Sequence, residues 1–187
     1  MIRSVMFAFL PLVFTGSLFS QEPNEHLKGF APFIGTWRYE GPAMEESPLA
    51  DKDSKVVFQI SWRWILDKQA VMADWFFEFE GGTKVSGKML NGWNAEEEKI
   101  VSGGMDSTGG MSMATYVLDS EAKTITETGR GVTGEGKEWS NKNLITKPDK
   151  DTVTWQALER NFPGVEGPSP IYKLKRVKRT AGKKAAK

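Results

Sequence analysis

Apolar and polar side chains alternate along most of this chain, and the alternation predicts β-strands. In residues 56–66 every second side chain is apolar, with Gln59, Ser61 and Arg63 between them. Successive side chains of a strand point to opposite faces, so a period of two indicates a strand with one buried face. Residues 70–80 repeat the pattern directly afterwards, which predicts that the two segments form a hairpin.

Ten segments of this kind follow one another, separated by short turns. No amphipathic helix of useful length lies between them, which argues against β-α-β units and a parallel sheet. We predict strands at residues 33–40, 56–66, 70–80, 84–91, 100–105, 111–118, 124–132, 137–145, 152–159 and 171–177.

The fold class that follows is all-β: an antiparallel up-and-down barrel of ten strands, with a β-sandwich as the alternative. A meander of sequential strands can close on itself and remove its exposed edges, which favours the barrel. A short N-terminal helix is expected at residues 24–32, before the first strand. The connections 41–54 and 160–170 are longer, and they are either lids over a binding site or solvated loops.

The N-terminal residues have the pattern of a secretory signal peptide. Arg3 supplies a positive charge and residues 5–19 form an apolar run, which is short for a membrane-spanning helix. A retained membrane anchor is the alternative. We expect a secreted or periplasmic protein with three parts: a signal peptide at 1–20, a β-barrel domain at 21–177 and a basic disordered tail at 178–187.

Charge is distributed unevenly along the chain. Residues 178–187 hold five basic residues and no acidic one. With these and Arg3 set aside, 19 of the 25 basic residues remain against 24 acidic residues. A mildly acidic barrel domain is not expected to bind nucleic acid specifically. The tail is expected either to touch anionic surfaces through its charge or to stay solvated.

Composition excludes several kinds of reaction centre. The chain has no cysteine and a single histidine, His26, so disulfides, thiolate chemistry and multi-histidine metal sites are ruled out. A serine or cysteine triad is not expected when the one histidine precedes the first strand. We expect no metal, no cofactor and no catalytic residue. Four carboxylates are candidates for acid–base chemistry, although the outer surface is their default position: Asp74, Glu78, Glu127 and Glu138.

Aromatic and methionine side chains give the sequence its strongest binding signal. A barrel of this size either fills its interior with side chains or encloses one small ligand, and aromatic walls with a few polar groups suit an apolar ligand. Arg160, with Arg63 and Arg130 as alternatives, is a candidate anchor for a carboxylate on such a ligand. The candidate ligand-binding residues are Trp62, Trp64, Trp75, Phe77, Met111, Met113, Trp139, Trp155 and Arg160.

The first predicted strand carries Gly35-Thr36-Trp37, and a basic residue, Arg176, lies in the last one. This combination resembles the calycin barrels, the group that includes lipocalins and fatty-acid-binding proteins. In lipocalins the tryptophan of such a Gly-x-Trp motif packs under a basic residue from near the end of the chain. The resemblance therefore implies a structural role for Gly35, Trp37 and Arg176, which would close one end of the barrel.

Two further resemblances concern smaller features. With the Trp62-to-Trp75 hairpin and Gly92-Trp93-Asn94, the chain is similar to an uncharacterised family of exported bacterial lipocalin-like proteins. Residues 31–41 also resemble the opening of nitrobindin-type haem barrels. Those proteins bind haem through a histidine late in the chain, and this sequence has no histidine after His26, so a haem site is not carried over.

These observations leave three hypotheses for function. The first is an exported lipocalin-like barrel that binds a small apolar or amphipathic ligand. The second is a non-catalytic interaction module of the cell envelope with a packed barrel. The third is an isomerase- or cyclase-type enzyme, which requires two titratable groups that converge inside the barrel. The sequence favours the first, and favours a protein that is not an enzyme.

Overall fold

Eleven strands make up most of residues 22–178, the part of the chain that this computed structural model describes. The strands are β1 (Gly35–Pro42), β2 (Lys55–Ile65), β3 (Ala70–Phe79), β4 (Lys84–Asn94), β5 (Lys99–Asp106), β6 (Met111–Asp119), β7 (Thr124–Val132), β8 (Glu138–Asp149), β9 (Thr152–Phe162), β10 (Val165–Glu166) and β11 (Tyr172–Arg176).

Each strand from β1 to β9 pairs antiparallel with the next one along the chain. Strand β9 also pairs with β11, and β11 pairs with β1, so ten strands form a closed ring. The two-residue β10 pairs only with β9 and stays outside the ring. The predicted antiparallel barrel of ten strands is therefore confirmed. Closure leaves no long unpaired edge, which is the physical advantage that favoured it over a sandwich.

The strand boundaries differ from the prediction mainly at the C-terminal end of the chain. Strand β8 continues to Asp149 and β9 to Phe162, further than alternation alone indicated. Residues 160–162, predicted as the start of a loop, therefore belong to β9. A β-bulge between Lys142 and Asn143 shifts the pairing of these two strands. The predicted signal peptide and almost all of the predicted tail lie outside the described residues.

The predicted N-terminal helix is a 3-10 helix, Glu25–Phe33, and it covers one end of the barrel. Leu27, Phe30 and Phe33 are fully buried. A 3-10 helix has three residues per turn, so this spacing places all three side chains on one face. Each contributes roughly 1.5–3 kcal/mol by leaving water. The backbone N–H of Asn24 donates to the carbonyl of Lys68 at 3.0 Å, which ties the segment to the β2–β3 connection.

The two ends of the barrel differ because of this helix. We call the covered end the closed end; there the helix, Trp37, Trp62 and Leu174 pack into one apolar core. The opposite, open end carries the connections β1–β2, β3–β4, β5–β6 and β7–β8. No helix among residues 22–178 is long and apolar enough to cross a membrane.

Candidate ligand-binding site inside the barrel

Trp37 forms the centre of the closed end. Its side chain is fully buried and its indole N–H donates to the carbonyl of Phe33 at 2.7 Å. The guanidinium of Arg176 lies 4.0 Å and the Lys147 ammonium 4.6 Å from the ring. Burial, helped by the neighbouring Arg176 charge, lowers the pKa of Lys147. Gly35 leaves room for this arrangement, since a Cβ there would collide with the Arg176 guanidinium.

One half of the barrel interior is lined by aromatic rings. Phe58 and Phe77 stack with centroids 4.4 Å apart, Trp155 contacts Phe58 edge-on at 5.6 Å, and Tyr172 contacts Tyr39 at 5.2 Å. Except for Phe58, these rings are only half-buried, so part of each ring is accessible. This aromatic half is built by β1, β2, β3, β9 and β11, with inward residues Tyr39, Phe58, Trp75, Phe77, Trp155 and Tyr172.

The other half is lined by polar side chains. The strand registers pair Asn91 with Ser102, Tyr116 with Glu127, and Glu127 with Asn143. Strand β7, which carries Glu127, lies five strands from β2 in a ring of ten, and is therefore opposite the aromatic half. This polar half is built by β4 to β8, with inward residues Asn91, Ser102, Tyr116, Glu127, Asn141 and Asn143.

Four buried polar atoms of the polar half have no hydrogen-bond partner: Asn91 Oδ1, Ser102 Oγ, Asn141 Oδ1 and Asn143 Oδ1. The Asn91 amide nitrogen donates to the carbonyl of Val71 at 2.9 Å, which fixes the amide and leaves its oxygen as the free acceptor. Ser102 Oγ lies near the Tyr116 hydroxyl but without hydrogen-bond geometry. An unpartnered buried polar atom costs about 1–3 kcal/mol, and native proteins satisfy such atoms with ordered water or a ligand.

Glu127 is the titratable group of the polar half whose protonation changes near neutral pH. Burial raises the pKa of its carboxyl to about 7, although Asn143 and Tyr116 partly oppose this by favouring the carboxylate. Burial, followed by the charge of Glu127, raises the pKa of Tyr116 well above its ordinary value. Tyr116 therefore stays a neutral phenol, and its hydroxyl is a donor, at 3.9 Å, to Met89 Sδ.

Glu127 and Tyr116 are two titratable groups that converge inside the barrel, which is what the enzyme hypothesis requires. A carboxyl with a pKa of about 7 can accept and release a proton near neutral pH, beside a phenol that can donate a hydrogen bond. The other carboxylate with inward parity on these strands is Asp106 at the end of β5, whose Oδ1 accepts hydrogen bonds from Thr108 and Gly110. Glu127 was a candidate from the sequence, with the outer surface as its default position; the register with Tyr116 and Asn143 turns it inward.

Inward glycines make space for large neighbours in the wall. A Cβ at Gly131 would lie 2.7 Å from the Trp139 ring, and a Cβ at Gly87 would overlap the ring of Trp75. The two indoles therefore lie flat along the barrel wall instead of crossing the interior. A Cβ at Gly129 would lie 2.5 Å from Asn141 Oδ1 and 3.5 Å from a Glu127 carboxylate oxygen, so this glycine leaves room for the Asn141 amide beside the carboxylate.

Arg160, the predicted carboxylate anchor, is already fully engaged. Its guanidinium binds the Glu45 carboxylate with two contacts of 2.6 and 2.9 Å, and it donates to the carbonyls of Gly167 and Pro168. The side chain is only 11% exposed. Arg160 therefore joins the β1–β2 connection to the segment after β9, and it has no donor directed at the polar half. The alternative, Arg63, pairs with Asp74 on the outer surface.

The structure brings together some of the predicted ligand-binding residues and separates others. Trp75, Phe77 and Trp155 share the aromatic half, and Trp139 stacks on Phe162 at 4.7 Å near the open end. Trp62 is buried in the closed-end core, and Trp64 packs against that core. The remaining two, Met111 and Met113, do not face the interior: they lie on the outer surface, 57% and 63% exposed.

The misplacement of Met111 and Met113 has a simple cause. The two methionines alternate with Ser112 and Ala114, and either parity of β6 can be apolar enough to face inward. The pairing of Ser102 with Ala114 turns the smaller residues inward. Both methionines instead line a groove of about 840 Å³ on the outer face, with neighbours that include Met72, Leu90 and Met105.

No cluster of three or more His, Asp or Glu side chains suitable for a metal ion occurs within residues 22–178. His26 stacks on Trp93 with ring centroids 3.7 Å apart, at the closed end. The histidine therefore has a packing role at the closed end.

Most of the polar half was missed from the sequence. Asn141 and Asn143 stand two residues apart in β8, so they share one face, and this spacing was a usable signal. Alternation in a strand normally identifies the inward face as the apolar one, whereas the inward-facing residues of this part of β8 are polar. Asn91 and Ser102 gave no such signal, because neither has a second polar residue two positions away on the same face of its strand.

Comparison with known proteins gives one finding on the family. Residues 22–165 match a family model described as "Protein of unknown function (DUF1579)". This range covers the 3-10 helix and strands β1 to β9, and thus the whole polar half and most of the aromatic half. No curated protein matches the chain.

Proposed function

Since the chain belongs to the DUF1579 family, whose function is unknown, we propose on the barrel geometry that the interior binds one small amphipathic molecule. The apolar part of this molecule lies on the aromatic half, and its polar part lies against the polar half. The observation that carries the proposal is the set of four unpartnered buried acceptor atoms on the wall opposite half-buried aromatic rings.

The exposure of inward side chains in the middle of their strands also supports a ligand site in the interior. Ile60, Met89 and Trp155 all lie in the middle of their strands and face inward, yet each is only half-buried. A tightly packed interior would bury mid-strand residues of this kind completely. The closed end does so, as Val71 and Val153 show. We take this difference to mean that part of the open half has room for a ligand, whereas the closed half is a packed core.

The test is native mass spectrometry of the protein purified from its own host, followed by solvent extraction of bound material. We expect a stoichiometric small molecule. A matched pair of variants then locates it: Ser112→Phe places a ring inside β6, and Thr115→Phe places the same ring on the exposed outer face of β6. Ser112→Phe should expel the ligand and Thr115→Phe should retain it. Equal retention by both variants would contradict an interior site.

Export is part of the proposed role. Residues 1–20 are proposed to be a signal peptide that is removed, so that the barrel acts in the periplasm or outside the cell. N-terminal sequencing of the protein from its host should give a mature chain that begins at or within a few residues of Gln21. A chain that still carries the apolar run would support the retained anchor instead.

The outer groove supports a second candidate, an interaction module of the cell envelope. Leu90, Met105, Met111 and Met113 are 50–63% exposed on neighbouring strands, and exposed apolar patches of this kind serve as contact surfaces. A protein that is empty in native mass spectrometry, and whose tryptophan fluorescence is unchanged by fatty acids, isoprenoids and haem, would shift the assignment to this surface.

A further inference from the structure

We infer that the ligand of the polar half is a hydrogen-bond donor with a positive charge, an organic amine whose ammonium group binds between the Glu127 carboxylate and the unpartnered side-chain oxygens around it. This inference rests on the proposed function, because it names the chemical class of the molecule that the same interior binds. It goes against the sequence expectation of a carboxylate-bearing ligand held by an arginine.

The first argument is the kind of atom left without a partner. Asn91 Oδ1, Asn141 Oδ1 and Asn143 Oδ1 are acceptors only, and Ser102 Oγ accepts as well as donates. An ammonium group presents three donors and no acceptor, and therefore matches such a wall. A ligand carboxylate would place its own acceptor oxygens against the three amide oxygens and leave them unpaired; only the Ser102 hydroxyl could donate to it.

The second argument is charge. Two carboxylates have inward parity in the polar half, Glu127 and Asp106. Asp106 lies at the end of β5, where its Oδ1 accepts from Thr108 and from the Gly110 N–H, so Glu127 is the carboxylate beside the unpartnered oxygens. Within residues 22–178, the cations nearest the interior are engaged elsewhere: Arg160 binds Glu45, while Arg176 and Lys147 lie over Trp37 at the closed end. Glu127 therefore has no protein counter-charge, and a ligand cation would supply it.

The third argument is the opposite wall. Aromatic side chains offer a large apolar area for the body of a ligand, and their faces carry partial negative charge, which disfavours an anionic group. The aromatic half offers Trp75, Trp155 and Tyr172, each half-buried with part of its ring accessible. An amine whose ammonium binds at Glu127 would therefore place its apolar body on these rings, whereas an anion at the same place would be repelled by Glu127.

Three probes with one apolar body test the inference: 2-(2-naphthyl)ethylamine, 2-(2-naphthyl)ethanol and 2-naphthylacetate, titrated into the purified protein by calorimetry at pH 7.5. We expect the amine to bind roughly ten- to a hundredfold more tightly than the alcohol, the usual range for a hydrogen bond to a charged group. The acid should bind most weakly. In Glu127→Gln the advantage of the amine should fall to within about twofold, whereas Glu138→Gln, an exposed carboxylate of β8, should keep it.

A second measurement on the unaltered protein does not depend on a variant that folds. Binding an ammonium favours the ionised form of Glu127, so amine binding near pH 7 should release protons, and the apparent binding enthalpy should change with the ionisation enthalpy of the buffer. The alcohol should show no such dependence. This readout reports on the carboxyl itself and would not respond to a merely structural role of Glu127.

The outcomes separate the two proposals. If the acid binds best, or if the alcohol binds as tightly as the amine, the interior does bind ligands but the inference of a cationic donor is overturned. If none of the three probes binds and the protein from its host is also empty, the proposed function fails together with the inference. Amine selectivity that is lost in Glu127→Gln supports both.

Discussion

The guanidinium carbon of Arg176 lies 4.0 Å from the centre of the Trp37 ring, and the two residues are direct partners across β11 and β1. Arg176 also donates to the carbonyl of Ile34 at 3.2 Å. The last strand thus covers the buried tryptophan of the first strand and closes the ring at the same place. A cation over an indole face contributes about 0.5–2 kcal/mol, beyond the apolar area that is buried.

Replacing Trp37 by alanine should destabilise the protein strongly. The indole is fully buried in the closed-end core, and removing it leaves a cavity beneath Arg176 and Lys147. We expect a loss of about 3–5 kcal/mol in the free energy of unfolding, measured by urea denaturation. Trp93→Ala is the control, because Trp93 is half-buried and should cost less. An unchanged midpoint for Trp37→Ala would contradict the packing described here.

Gly35→Ala should be far more damaging than a glycine substitution elsewhere in the sheet. Gly35 has a φ of +136°, a conformation that L-residues avoid, and a Cβ would meet the Arg176 guanidinium. We expect a loss of about 1–3 kcal/mol in thermal or urea unfolding. The matched control is Gly92→Ala in β4, where a Cβ meets nothing within 4 Å; the change should be within about 0.5 kcal/mol. Equal effects would remove the special role of Gly35.

The stability of the protein should depend on Glu127 in a defined pH window. Because the folded-state pKa of about 7 lies above the ordinary value of 4.5, the folded protein holds a proton that the unfolded chain releases. The contribution of this group to stability is therefore complete below about pH 4.5 and is lost as the pH rises through about 7. The loss is at most about 3 kcal/mol.

Urea denaturation from pH 4.5 to 8 measures this contribution. Relative to the native protein, Glu127→Gln should be of similar stability at pH 4.5 and more stable at pH 8, because the amide never ionises. Glu138→Gln, which changes an exposed carboxylate, should follow the native curve. A Glu127→Gln curve parallel to the native one would show that the carboxyl is solvated.

The ion pair of Arg160 and Glu45 should couple two distant segments of the chain. Arg160→Met leaves Glu45 and the carbonyls of Gly167 and Pro168 without their donor. We expect a loss of about 1.5–3 kcal/mol, the range for hydrogen bonds to a charged group. Arg160→Lys keeps the charge but loses the two-pronged contact, and it should be intermediate. In a double-mutant cycle with Glu45→Gln, strictly additive losses would show that the two residues do not interact.

The sequence predicted local structure well because local rules decide it. A period of two in residues 56–66 and 70–80 reflects one dry and one wet face, and these segments are β2 and β3 with nearly the predicted boundaries. The Gly-Thr-Trp segment with Arg176 also indicated which residues meet at the closed end, although only through resemblance to calycin barrels. Boundaries failed at β8 and β9, where a bulge lets pairing continue past the end of the alternation.

What the sequence by itself determined is the succession of strands, their antiparallel order and the absence of cysteine chemistry, because each follows from composition or from neighbouring residues. Only the tertiary structure decided which face of β6 and β8 is inward. Parity is set by pairing with the next strand, and one residue of shift exchanges the two faces. Parity exposed Met113 and turned Glu127 into the barrel. Ring closure brought β7 opposite β2, and folding of the connections brought Arg160 to Glu45. No local sequence pattern records which residues meet in these ways.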